Sequence, residues 1–201
     1  MKPFARDAVL LLVDLQVGFE APSWGRRNNP QMEEQIARLL RAWRESRRPV
    51  IHVKHMSTYP TSLLRPGQPG NALLTPFAPI PGEPLYEKHA HSCFIGTSLE
   101  ADLDADSRRT LVIVGLTTNH CISTTTRMAG DLGFDTWLVS DATATFDRVG
   151  PDGVRHSAEQ IHAIALSDLH EEFATVVDTS TALAMAAEQE TRAPGDQVSS
   201  P

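Results

Sequence analysis

Residues Ala8 to Val13 read AVLLLV, a continuous apolar run that stops at the carboxylate of Asp14. A short run without polar alternation fits a strand covered on both faces, the setting of a central strand in a parallel sheet. It is too short to span a membrane, and no small-residue cleavage site follows it. A carboxylate closing such a strand is nearly buried, and a buried charge needs a partner or a task.

The rest of the chain alternates strand-like and helix-like segments. Asn29-Pro30 with Glu33 and Glu34 behind it predicts a helix start, and Ile36, Leu39, Leu40 and Trp43 recur at helical spacing. Strands are predicted at 50–53, 85–88, 111–114, 134–139 and 175–177. Helices are predicted at 98–103, 120–132, 157–170 and 179–190. This order implies a Rossmann-like three-layer α/β/α sandwich around a six-stranded, mainly parallel sheet with right-handed crossovers. One domain over 1–190 is expected, with a flexible tail over 191–201. Residues 57–84, rich in Pro and Gly, form an unusually long connection of the kind that usually serves a function.

With 201 residues, 41% of them hydrophobic, the chain is long enough for a sizeable core. A net charge of −7 argues against a nucleic-acid surface. Two cysteines, Cys93 and Cys121, make no disulfide framework, so a reduced, cytoplasmic protein without a membrane partner is expected.

Ligand sites in parallel sheets lie at the carboxyl ends of strands, near a switch in strand order. Asp14, Lys88 and Cys121 all fall at or just past such ends. Cys121 follows Gly115-Leu116-Thr117-Thr118-Asn119-His120 and opens a helix. There the helix dipole favours a thiolate, and backbone N–H groups can meet an oxyanion. The helix carries Ser123-Thr124-Thr125-Thr126, a weak helix former, so tertiary packing must hold it. Taken singly, each reactive residue has a plainer reading: Cys121 a buried structural thiol, Lys88 a surface charge, Asp14 a loop brace.

Three blocks change that balance. VLLLVDLQVGF, EKHAHSCFIGTSLE and VIVGLTTNHCISTTTRMAGDLGFDTWLVSDATATFD resemble the signature segments of isochorismatase-like cysteine hydrolases, over residues 7–178. The resemblance implies an Asp14–Lys88–Cys121 triad, a cis peptide between Leu116 and Thr117, and an oxyanion hole from the N–H groups of Thr117 and Cys121. It implies a cofactor-independent hydrolase that cuts a C–N bond in a small amide, carbamoyl or lactam-type substrate through a thioester. It also implies a homodimer or homotetramer. Metal-dependent nicotinamidases of the family carry Asp-x-His after the second strand. VKHMST lacks that aspartate, so no catalytic metal is expected, and His52 and His89 are read as structural. Two alternatives stay open. One is vinyl-ether hydrolysis of an isochorismate-like substrate, in which family members lack the cysteine. The other is a non-catalytic binding protein on the same fold.

Candidate pocket residues are Gln16, Phe19, Trp24, Asn28, Arg65, Phe94, Asn119, His120 and Phe146. Cys93 is read as inert packing and Arg127 as a helix brace. His156, His162 and His170 are assigned to one helix and to packing.

Overall fold

The computed structural model describes residues 2–187. Six parallel strands form one sheet: β1 (Val9–Val13), β2 (Val50–His55), β3 (Leu85–Lys88), β4 (Thr110–Leu116), β5 (Asp135–Ala144) and the last strand, β8 (Thr175–Val177). Between them, β6 (Arg148–Val149) and β7 (Arg155–His156) make a small antiparallel hairpin. The sheet order is β3-β2-β1-β4-β5-β8. The chain therefore winds outward from β1 on one side and from β4 on the other. The switch point falls between β1 and β4, where a crevice opens beyond the strand ends.

Burial along β1 is complete, as its apolar run requires, and successive residues feed opposite layers. Leu10 and Leu12 join a core with α1 (Met32–Glu45) and α5 (Thr179–Ala187). Val9, Leu11 and Val13 join a second core with α2 (Leu99–Ala105), α3 (Ser123–Asp131) and α4 (Ala158–Leu169). This is the three-layer α/β/α sandwich. No helix among the described residues is long and apolar enough to cross a membrane.

Several boundaries differ from the sequence expectation, each for a local reason. Helix α1 starts at Met32, because Asn29 takes a left-handed turn (φ 45°). The Asn29 amide donates to the carbonyls of Ser140 and Thr143 instead of capping a helix. Strand β5 runs on past Val139 to Ala144 through an irregularity in its pairing with β4. The polar pair Ser140-Asp141, which made the strand seem to end, anchors neighbours: Asp141 accepts from the N–H and hydroxyl of Thr179. Strand β2 continues to His55, and 57–84 contains two single 3-10 turns. His156 lies in β7 and His170 just past α4, so His162 is the one of the three inside the helix. The expected tail at 191–201, and the domain end at 190, lie outside the described residues.

Helix α4 is secured by a capping box, Ser157 with Gln160. Helix α3, with its run of threonines, is held from outside. The Thr125 hydroxyl accepts from the Cys93 N–H at 3.1 Å, and Gly130 packs against Phe173 so tightly that a Cβ would stand 2.8 Å from its carbonyl oxygen. Arg127 lies over the Phe173 ring at 4.7 Å.

Gly115 controls the approach of β4 to β1. Its φ is +120°, and a Cβ there would lie 2.0 Å from the Val13 carbonyl oxygen. Gly115→Ala is expected to destabilise the fold by about 3 kcal/mol or more in urea unfolding, because conformation and space both exclude a methyl group.

Candidate active site

Four strand ends converge at the switch point. Asp14 follows β1 in a left-handed turn (φ 55°), a conformation that aspartate tolerates better than most residues. Lys88 ends β3 and sits in register with His55, the last residue of β2. Past β4 the Leu116–Thr117 peptide is cis, and a single π-helical turn over Thr118–Ile122 carries Cys121 into α3.

Asp14 and Lys88 are both fully buried, and Lys88 Nζ donates to Asp14 Oδ2 at 2.8 Å. The same ammonium donates to His55 Nδ1 at 3.2 Å and to the Ala90 carbonyl at 3.3 Å. An ammonium has no acceptor, so His55 Nδ1 must be unprotonated here and the imidazole neutral. Burial works against the Lys88 charge, but the Asp14 carboxylate outweighs it and holds the lysine pKa above its ordinary value. Asp14 Oδ1 is buried with no hydrogen-bond partner of its own. Beside it lies the Cys121 thiol: one Asp14 carboxylate oxygen, one His55 ring nitrogen and Cys121 Sγ fall within 4.8 Å of one another.

The thiol is not ionised by its helix. Burial first, and then the Asp14 charge, push the Cys121 pKa up, with Lys88 opposing. Desolvation here opposes the thiolate that a helix N-terminus favours. In the resting site the thiol keeps its proton next to a carboxylate with a free oxygen. Cys93, fully buried, has its pKa pushed to about 12 by the same burial. It packs against Thr125 away from the cavity.

Asp14 and Cys121 open into a cavity of about 160 Å³. Phe19, Trp24 and Leu64 form its apolar side, and His55, His91 and His120 stand around the sulfur. Ser57, Tyr59, Ser62 and Thr117 complete the wall. Phe19, Trp24 and Phe146 stack in a cluster with centroid distances from 5.1 to 6.3 Å. Phe146 thus backs the wall from behind the other two rings.

Other pocket candidates lie elsewhere. Gln16 is a clamp: its amide donates to the His55 and Asn71 carbonyls, and its Oε1 accepts from the His55 N–H. Asn71 extends the clamp to the Leu64 carbonyl. Asn28 pairs with the Thr145 backbone. Asn119 accepts from the Thr145 hydroxyl while its amide faces His120. Phe94, in the turn past β3, stacks on Phe134 in the second core and away from the cavity wall. Arg65 is exposed and outside the cavity wall; its neighbour Leu64 faces in. His55 and His91 each form a close pair in sequence, with His52 and His89. Their spacing did not reveal which ring of each pair turned inward. His52 instead bonds Glu83, which also grips Arg44, and His89 meets the Met56 carbonyl.

A metal does not suit this donor set. Among the described residues, the metal-capable group is Asp14, His55 and Cys121. Lys88 already holds two of its three members through the contacts above, so a divalent ion would face an ammonium.

Residues 8–181 match the isochorismatase domain. The chain belongs to the isochorismatase family. It is similar to the uncharacterised isochorismatase family protein YrdC of Bacillus subtilis, 46% identical over 85% of this chain and 91% of that one. A crystal structure of an isochorismatase-family hydrolase from Chromobacterium violaceum superposes with a TM-score of 0.89 at 42% identity, covering 92% of this chain and 96% of the other. Nicotinamidase 3 of Arabidopsis thaliana is 27% identical over 88% of this chain and 87% of its own length. The protein is thus an isochorismatase-family hydrolase, with reactive groups at the switch point of its sheet.

Two measurements probe this site. Lys88→Met leaves the buried Asp14 carboxylate unpaired and is expected to lower stability by about 3–5 kcal/mol in urea unfolding at pH 7. His162, buried between Thr118 Oγ1 at 2.8 Å and Asn29 Nδ2 at 3.4 Å, supports the π turn that carries Cys121, and burial lowers its pKa. The unfolded chain therefore binds this proton more readily. Stability is complete above the ordinary histidine pKa, about 6.5, and is lost as pH falls below it. In His162→Gln the loss between pH 7.5 and 5.5 should be smaller, by at most about 1.4 kcal/mol per pH unit.

Proposed function

We propose that the protein is a cysteine-dependent amidohydrolase that cleaves a C–N bond of a small, uncharged amide, carbamoyl or lactam-type substrate. The observation that carries this reading is the Cys121 sulfur within 4.8 Å of the Asp14 carboxylate, whose Oδ1 has no hydrogen-bond partner. In this scheme Asp14 takes the thiol proton as sulfur attacks the substrate carbonyl, and Lys88 keeps Asp14 oriented. The N–H groups of Thr117 and Cys121 receive the oxyanion. The amine leaves with the proton from Asp14, and water then hydrolyses the thioester. This coupled transfer suits a thiol held neutral by burial, since attack and deprotonation occur together.

The wall favours an uncharged substrate. Isochorismate carries two carboxylates, and among the described residues no lysine or arginine lines this cavity. Burial lowers the pKa of both His55 and His120, so neither supplies a standing positive charge near neutral pH. The amide activity named for the Arabidopsis relative agrees with this preference.

Ammonia release from nicotinamide, ureido compounds and biuret, and ring opening of cyclic lactams followed by chromatography, test the proposal, with pyruvate release from isochorismate as the competing reaction. Cys121→Ala is expected to lose at least about 1000-fold in kcat while keeping its circular dichroism spectrum. Dialysis against EDTA is expected to leave the rate unchanged. Full activity in Cys121→Ala, or turnover of isochorismate alone, would overturn the reading. Failure of iodoacetamide to modify Cys121 in a pH-dependent way would favour a binding protein.

A further inference from the structure

The proposed scheme leaves one reactive contact unused. His91, three residues past Lys88, lies at the exposed mouth of the cavity with Nδ1 3.8 Å from Cys121 Sγ. Its ring is held between two others. The His55 centroid is 6.0 Å away with planes 24° apart, and the His120 centroid is 6.0 Å away with planes 17° apart. We propose that His91 is a further catalytic residue, the base that takes a proton from water when the Cys121 thioester is hydrolysed. This rests on the cysteine-hydrolase reading above and adds a role to its second half.

The two sides of the sulfur differ in access. Asp14 is fully buried and already bonded to Lys88, whereas His91 is exposed. Once the acyl group occupies Cys121 and the amine has gone, water enters through the mouth and meets His91 first. An imidazole is well matched to general-base work near neutral pH. The flanking rings do not compete for the proton. Lys88 donates to His55, and Asn119 Nδ2 faces His120 Nε2 at 3.4 Å, so each neighbour has one ring nitrogen cast as acceptor. Stacked on both faces, His91 keeps an edge towards the sulfur.

The step balances within the site. A water O–H bond breaks as its oxygen bonds to the thioester carbonyl carbon, and the proton goes to His91. Collapse of the tetrahedral adduct breaks the C–S bond. The imidazolium then returns its proton to the departing thiolate, which restores the Cys121 thiol and neutral His91 and frees the acid product. Charged or titratable groups facing His91 are His55 from β2, His120 and Cys121 from the π turn, and the Asp14–Lys88 pair behind them. Arg148 acts on His120 from the hairpin.

The test uses 4-nitrophenyl acetate as acyl donor, with stopped-flow detection of 4-nitrophenolate and mass spectrometry of Cys121. In the wild type, a burst is followed by slower turnover limited by deacylation. His91→Asn should keep the burst, accumulate acetyl-Cys121 and deacylate about 100-fold more slowly. The deacylation rate of the variant should also follow pH differently from that of the wild type. His91→Gln serves as a second variant of different length. An unchanged deacylation rate and pH profile in both, with a normal wild-type burst, would overturn the role of His91 alone. So would burst and deacylation rates that fall together. A wild type that never forms acetyl-Cys121 would overturn the cysteine-hydrolase reading, and the role of His91 with it.

Discussion

The contact on which the site depends is the ion pair between Lys88 and Asp14, closed at 2.8 Å with both side chains fully buried. Two charges out of water are stable only with close geometry and further hydrogen bonds. Lys88 meets that demand with three acceptors on three segments: Asp14 after β1, His55 at the end of β2 and Ala90 after β3. Breaking any of these leaves a buried donor unmatched. The pair therefore fixes the relative heights of three strand ends, and it fixes which Asp14 oxygen remains for chemistry. Hydrophobic burial builds the sheet, but it could not by itself orient a carboxylate within a few tenths of an ångström.

The electrostatics around the sulfur follow from the same pair. Desolvation leads in favouring the neutral thiol, and the Asp14 charge adds to it while Lys88 opposes. The surrounding histidines inherit the dryness: burial lowers the pKa of His55 and His120 alike. The result is a small cavity with polar edges, aromatic sides and little net charge. Such a site holds reactive groups ready while giving an anionic ligand little to bind.

The sequence made the centre of the fold legible and left its margins obscure. AVLLLV followed by Asp14 announced a central strand because burial on both faces leaves no alternation. The three reactive residues were recoverable because they are tied to strand ends, whose positions follow from periodicity and turn residues. Wall residues were not, because they hang from connections whose paths depend on distant partners. Gln16 lies two positions past Asp14, yet it serves the neighbouring loop. Asn29 carries the signature of a helix cap, yet it spends its amide on β5. Ser140-Asp141 broke the apolar pattern of a strand that continues, and the histidine pairs gave no phase.

Gly18 and Gly70 meet almost backbone to backbone: a Cβ on Gly70 would lie 2.9 Å from the Gly18 Cα and 2.6 Å from the Leu63 carbonyl oxygen. With the Gln16 and Asn71 clamps, this seam fastens the long connection from Leu63 to Asn71 and leaves its leading part, Thr58 to Thr61, exposed at the cavity mouth, with Tyr59 73% exposed. Substitutions in the leading part can recut the entrance, changing which molecules are admitted, without disturbing the strand ends beneath. Diversification of substrate can then proceed at the rim while the reaction stays the same.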